Sequence, residues 1–301
     1  MSAQAEPAQI SLQASGPVAR RQLASRLSRW LLLLATFSGL IVLALLGYDT
    51  LRQGGGRLIP LSEAWDFVTS YPSRTASRAG LRSSILGSAW VLGATLVMAF
   101  PVAVGTAIWI EEFAPKNRIL TFVKLNLSNL AGVPSIIYGI LGLAIFVRYL
   151  DLGPSILAGA LTLSFMIMPM TVIASQEAIK QVPSGIREAS LALGATEWQT
   201  VWFHVLPGAM PGIMTGIILA ISRAIGETAA LIMIGAFTFV AFDPSSLSDD
   251  FTTVPIQIYN WTIRPQQAFR ENAAAAIIIL MIAVLGLNLT AAIIRERFQH
   301  E

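Results

Sequence analysis

The amino-acid sequence predicts an all-α membrane protein with six transmembrane helices, and three observations carry that prediction. Of 301 residues, 54% are hydrophobic and only 12% are charged, about half the charge of a soluble domain. The mean hydropathy is +0.66. The charges are clustered, leaving uncharged intervals of about 17 residues or more, the length that crosses a bilayer core as a helix.

Those intervals define the elements in order. Residues 31–47 come first, framed by Trp30 and Tyr48, aromatics suited to the membrane interface. Residues 83–110, 125–147 and 152–176 follow. The fifth interval, 212–242, is broken only by Arg223 and Glu227, and the sixth is 272–294. Six crossings place both termini on one side. The division expected is a cytoplasmic tail (1–29), a first transmembrane helix (30–48), an external loop (49–82) and a five-helix core (83–295) holding a cytoplasmic loop at 177–211. Residues 1–19 show no apolar periodicity and read as a disordered tail. A cleaved signal peptide would need small residues near its end. Leu45-Leu46-Gly47-Tyr48 is a poor match, so the first interval reads as an uncleaved anchor.

Lysines and arginines near span ends set orientation. With the amino terminus inside, eleven lie inside and eight outside. Arg52, Arg57, Arg74, Arg78 and Arg82 make the first outer loop unusually basic. The four arginines that lead into the first span still favour an inside amino terminus. The arginine-rich outer loop is open to two readings, an anion funnel or a membrane or protein contact.

Cysteine is absent, and His204 and His300 are the only histidines. Thiolate chemistry is excluded, and neither a metal site nor a cofactor is expected.

Three constellations carry chemistry. The first is Arg223-Ala-Ile-Gly-Glu227 within the fifth interval. Counted from Pro211, Arg223 falls about 17 Å along a helix, near the midplane. A charge there is costly, so it must face protein or water. On a continuous helix Glu227 would share its face and pair with it. Two readings stand: an ion pair that locks the bundle, or a guanidinium fork for phosphate oxygens.

The second is the 177–211 loop, where Glu188, Ala189, Ser190, Gly194, Leu206 and Pro207 fall in sequence. Its composition suits two short helices with a turn at Gly194. An interfacial amphipathic helix without a partner is the plain alternative. The third is residues 132–142, where Pro134 should kink the third span and Gly132, Gly139 and Gly142 allow close packing.

Together these stretches resemble the permeases of phosphate-specific ATP-binding-cassette importers, and more the PstA than the PstC type. The resemblance rests on Gly132-Val-Pro-Ser-Ile-Ile-Tyr-Gly139 and Ser222-Arg-Ala-Ile-Gly-Glu-Thr228. The 177–211 loop is similar to the segment with which importer permeases dock on their ATPase. Ser190 and His204 depart from that loop's usual alanine and aliphatic residue. The resemblance covers about residues 80–295. It implies a MetI-like bundle in an inner membrane, with a substrate pathway lined by Arg223, Glu227, Thr228, Ser222, Ser135 and Tyr138. ATPase docking would fall to Glu188, Ala189, Ser190, Gly194, Leu206 and Pro207. The implied partners are a second homologous permease, two ATPase subunits, an external phosphate-binding protein, phosphate and membrane lipid, with no nucleic acid. No Gly-x4-Gly-Lys-Ser/Thr loop occurs, so ATP hydrolysis is assigned to a partner. A permease for sulfate or molybdate, or an anion channel or secondary transporter, is the alternative. An intramembrane enzyme would need a catalytic dyad at depth, and only Arg223 and Glu227 are ionisable there.

Overall fold

The computed structural model describes residues 17–236 and 239–299. Among them every regular element is a helix, and one isolated bridge joins Ser155 to Asp250. Of the expected disordered tail at 1–19, residues 1–16 lie outside the described residues, while residues 17–19 are already helical and open α1 (Pro17–Leu58). This helix is longer at both ends than the expected 30–48, so residues 49–58 are helical rather than loop.

Residues 1–50 and 51–301 are two separate units. The described part of the first is one helix with its apolar side chains exposed, as lipid-facing residues are. The second holds α2 (Leu61–Thr69), α3 (Arg82–Ile108), α4 (Arg118–Ala131), α5 (Ser135–Gly142), α6 (Ile156–Lys180), α7 (Ser184–Ala192), α8 (Glu197–Thr200), α9 (Leu206–Ile225), α10 (Ala229–Met233), α11 (Val254–Thr262) and α12 (Gln267–Gln299). Turns of π-helix extend α3 through Trp109–Phe113 and α5 through Leu143–Tyr149, and Val201–Val205 fuses α8 to α9.

Among the described residues, five helices are long and apolar enough to cross a membrane: Arg20–Leu58, Arg82–Phe113, Ile156–Lys180, Glu197–Ile225 and Gln267–Ile293. Arg118–Ala131 and Ser135–Tyr149 form a bent pair that meets at 99° and makes a sixth crossing if the two halves are one broken span. The expected kink at Pro134 is therefore a full break. Proline lacks an N–H and drives the residue before it out of helical geometry, so α4 cannot run through Val133.

The core forms where α6 packs between α3 and α9. Val91, Thr95, Ala99, Ala103 and Ala107 recur every fourth residue on α3 and are all buried. Small side chains at helical spacing let backbones approach closely where apolar burial gives no drive, as in lipid. At the start of α6, Ile156 N–H donates to Asp249 O and Leu157 N–H to Leu247 O, so the 245–250 loop satisfies its first amides.

Candidate functional site

Two interrupted helices frame the first region. In α9 the helix ends at Ile225, Gly226 is its cap, and α10 begins only at Ala229. The fifth span therefore does not run from 212 to 242 as one helix. Helix begins at Glu197, and Arg223 lies in the last turn of α9, about 26 Å beyond Leu206. The midplane depth counted from Pro211 does not describe this helix.

The expected Arg223–Glu227 pair does not form. Helical spacing puts residues four apart on one face only while the helix continues, and here it stops between them. Arg223 Nη1 sits 3.6 Å from the Met170 sulfur on α6. Glu227 Oε1 accepts from Ala230 N–H at 3.1 Å and lies in a crevice beside Ser88, Leu163 and Thr253. Arg223 has no ion pair among the described residues. Its compensation is the carbonyl end of α9, where a cation is favoured by the helix dipole.

The second interruption, at 132–134, brings Tyr138 into electrostatic reach of Arg223. Tyr138 is buried and its hydroxyl donates to Leu130 O at 2.8 Å, satisfying a carbonyl at the frayed end of α4. Ser135 opens α5 and is half-buried. A Cβ added at Gly139 would lie 2.7 Å from Ala230 O, so α5 packs directly on α10. Thr228 donates to Gly226 O at 3.3 Å. Ser222 points elsewhere, donating to Asn288 Oδ1 on α12. Five of the six expected pathway residues thus gather at the two breaks, while Ser222 ties α9 to α12.

The second region is the 177–211 loop. It does form a short helix, α7, then a turn at Gly194 with φ +85°. That left-handed geometry suits glycine. The partner helix α8 is not separate but continues into α9. Thr196 and Gln199 cap it reciprocally. Glu188, Ala189, Gly194 and Pro207 are exposed, Leu206 is half-buried and Ser190 is buried. The Ser190 hydroxyl lies 2.9 Å from Thr200 Oγ1, so the departure from alanine adds a tie between α7 and α8. Leu193 is 90% exposed, and Trp198, Trp202, Phe203 and His204 are exposed as well. Trp198, Trp202 and Phe203 begin the Glu197–Ile225 helix, where exposed apolar side chains fit contact with lipid or with another protein surface.

The sequence profile described as "Binding-protein-dependent transport system inner membrane component" matches residues 79–300. The chain belongs to this family. It is 31% identical over 240 residues to the probable ABC transporter permease protein YqgI of Bacillus subtilis, covering 76% of this chain and 82% of that one. It is 34% identical to the phosphate transport system permease protein PstA 1 of Mycobacterium tuberculosis H37Rv, covering 72% and 70%. The PstA protein of Pasteurella multocida matches at 28% over 91% of this chain and 95% of that one. In structure, a chain of a bacterial alginate ABC transporter superposes with TM-score 0.63 at 15% identity, covering 92% and 96%. A chain of the MetNI methionine ABC transporter gives 0.56 at 20%, covering 70% and 94%. The bundle is thus the MetI-like importer fold.

Sequence reading missed one set of this permease's residues. Glu111 and Glu112, in the π turn closing α3, collect cations from three other helices. Lys124 Nζ donates to Glu111 at 2.8 Å, Lys180 lies 4.0 Å from it, and Arg187 grips Glu112 at 2.6 Å. Two adjacent acids at a span end that otherwise carries lysines were the available signal. Arg57 donates to Ser77 O at 2.7 Å, and Arg82 binds both oxygens of Asp243 and lies over the Tyr71 ring. The Arg82 guanidinium holds the Asp243 carboxyl below the usual carboxylate range. Two of the five arginines expected in the outer loop are therefore engaged, while Arg52, Arg74 and Arg78 are exposed.

Proposed function

We propose that this chain is the transmembrane permease subunit of an ATP-driven phosphate importer and forms half of its translocation pathway. The carrying observation is Arg223, an arginine at the end of a broken membrane helix that makes no ion pair among the described residues. Such a guanidinium is free to offer two parallel donors to an oxyanion. Tyr138, Ser135, Glu227 and Thr228 flank it at the two breaks. The phosphate assignment rests on the PstA relatives, because oxyanion geometry alone does not separate phosphate from sulfate or molybdate. The substrate site is a passage, so it must bind weakly enough to release.

The 177–211 loop docks an ATPase, with Glu188, Ala189 and Gly194 at the contact and Ser190, Leu206 and Pro207 shaping it. The chain itself hydrolyses no ATP, having no phosphate-binding loop. It pairs with a second, homologous permease, two ATPase subunits and an external phosphate-binding protein, and sits in the inner membrane with both termini cytoplasmic.

Purification of the tagged full chain from membranes tests this reading. An ATPase and a second permease should copurify, and the reconstituted complex should take up radiolabelled phosphate in preference to sulfate or molybdate. Uptake of sulfate or molybdate instead would reassign the substrate. Uptake without any ATPase would reassign the chain to a channel or secondary transporter.

A further inference from the structure

The corner between the end of α3 and the start of α4 encloses a cavity of about 520 Å³. Ile110, Ala114 and Leu120 supply its apolar side, while Lys116, Arg118 and Lys124 supply three cations. Glu111 also borders it, but its carboxylate is taken up by Lys124 at 2.8 Å and Lys180 at 4.0 Å. Lys116 and Arg118 are exposed and make no ion pair among the described residues. The cavity therefore holds uncompensated positive charge. The first turn of the fourteen-residue α4 opens beside it and adds partial positive charge of its own.

The location narrows the ligand. The cavity sits where the Arg82–Phe113 span leaves its apolar stretch. Directly beyond Arg118, α4 shows Ile119, Phe122 and Leu125, three apolar side chains 71%, 66% and 59% exposed. Their spacing of three places them along one stripe of the helix. A free inorganic anion uses the cations and has no use for the stripe. A phospholipid uses both. Basic pockets beside membrane helices are places where anionic headgroups settle.

We propose that this corner is a binding site for one anionic phospholipid. Its phosphodiester sits between Lys116 and Arg118, and its acyl chains lie along Ile119, Phe122 and Leu125. The site does not depend on which solute the permease carries. Its position beside Glu111 and Glu112 puts it next to the cluster that holds α4, α6 and α7 together.

Native mass spectrometry of the detergent-purified full chain tests the site. The probes are phosphatidylglycerol and phosphatidylcholine with the same acyl chains, each with and without millimolar inorganic phosphate. Wild type should retain phosphatidylglycerol over phosphatidylcholine. Lys116→Ser with Arg118→Ser should lower that retention at least about tenfold. Lys116→Arg with Arg118→Lys should preserve it, because charge is kept. An unchanged unfolding temperature in neutral detergent shows that the serine variant is folded. Equal retention of both lipids, or undiminished retention by the folded serine variant, overturns the proposal. Displacement of the lipid by millimolar phosphate also overturns it, since the site would then belong to a free anion.

Discussion

Arg187, on α7, binds both carboxylate oxygens of Glu112, 75 residues earlier at the end of α3, with a closest approach of 2.6 Å. The same guanidinium donates to Val182 O at 2.7 Å and Ile179 O at 3.0 Å, at the carbonyl end of α6. One side chain therefore fixes α7 to two spans at once. Any push on α7 reaches α3 and α6 through it. Breaking a largely buried pair from one side costs about 3 kcal/mol, because the other charge is left without a partner. Arg187→Glu should lower membrane abundance sharply. Adding Glu112→Arg should recover much of the abundance, since the pair is rebuilt in reverse, though the α6 carbonyls lose their donor. Abundance in the double variant no better than in the single one would show that the pair does not hold the helices.

Gly194 is open in space but constrained in backbone: nothing lies within 4 Å of an added Cβ, while φ is +85°. Gly194→Leu therefore has open space at Cβ and carries the left-handed penalty, about 1–2 kcal/mol. The protein should insert normally. If α7 and its turn receive an ATPase, ATP hydrolysis should continue without uptake, because the turn that sets the α7–α8 angle is altered. Normal phosphate-stimulated hydrolysis and uptake in that variant would remove the turn from the docking surface.

Gly139 presents the opposite case. An added Cβ would meet the backbone of Ala230 at 2.7–2.8 Å, and backbone cannot swing aside as a side chain can. Gly139→Ala should force α5 and α10 apart at a cost of about 1–3 kcal/mol. Because Tyr138 and the residues after Gly226 flank that contact, uptake should fall further than abundance does. A parallel fall in the two would mean the contact is only structural.

In the loop before α11, backbone N–H groups of Ser245 and Ser246 donate to Asp249, which holds its carboxyl below the ordinary range. A depressed carboxylate stabilises the folded loop fully above the unfolded value, near 3.9. That stabilisation fades as pH falls through the folded value. Protection factors of the amides at residues 245–250, corrected for the intrinsic pH dependence of exchange, should therefore fall on acidification below about pH 4, with those of Ile156 and Leu157 following. Asp249→Ala should exchange fast at neutral pH and show a weaker acid response. An identical pH profile in both proteins would assign the acid sensitivity to other groups.

Much of this architecture was legible because hydropathy and charge act over long segments. The uncharged intervals located the spans at 20–58, 82–113, 156–180 and 267–293, and Gly194 announced its own turn. The fifth helix, however, starts at Glu197, inside the stretch expected to be loop. What stayed hidden depends on where helices stop. An apolar interval does not show that α9 ends at Ile225, since residues 226–242 are as apolar as those before them. The i, i+4 reading of Arg223 and Glu227 failed for that reason alone. Pro134 marked a disturbance in the third span, but a 99° break and a kink share one signature in sequence. The Glu112–Arg187 pair joins residues 75 positions apart, and no local rule connects them.

Arg223 carries the most decisive prediction, and the absence of a pair changes its form. Were Arg223 and Glu227 partners, removing either would strand the other, and removing both would restore the fold. In this geometry each has its own support: Arg223 the carbonyl end of α9 and the Met170 sulfur, Glu227 the Ala230 amide. Arg223→Ala should leave membrane abundance close to wild type, because no carboxylate is orphaned. Glu227→Ala should loosen the start of α10 by about 1 kcal/mol, the worth of one lost hydrogen bond. The double variant should then show the sum of the two stability effects, with a coupling energy near zero, within about 0.5 kcal/mol. Transport should behave differently. Arg223→Lys keeps the charge but loses the planar fork that grips two oxygens at once. Phosphate uptake by that variant should therefore drop at least about tenfold at unchanged abundance, the consequence of losing about 1.4 kcal/mol of anion binding in transit. Comparing abundance with initial uptake rates across the four variants decides it. A large favourable coupling in abundance would restore the ion pair, and full uptake by Arg223→Lys would remove the fork from the pathway.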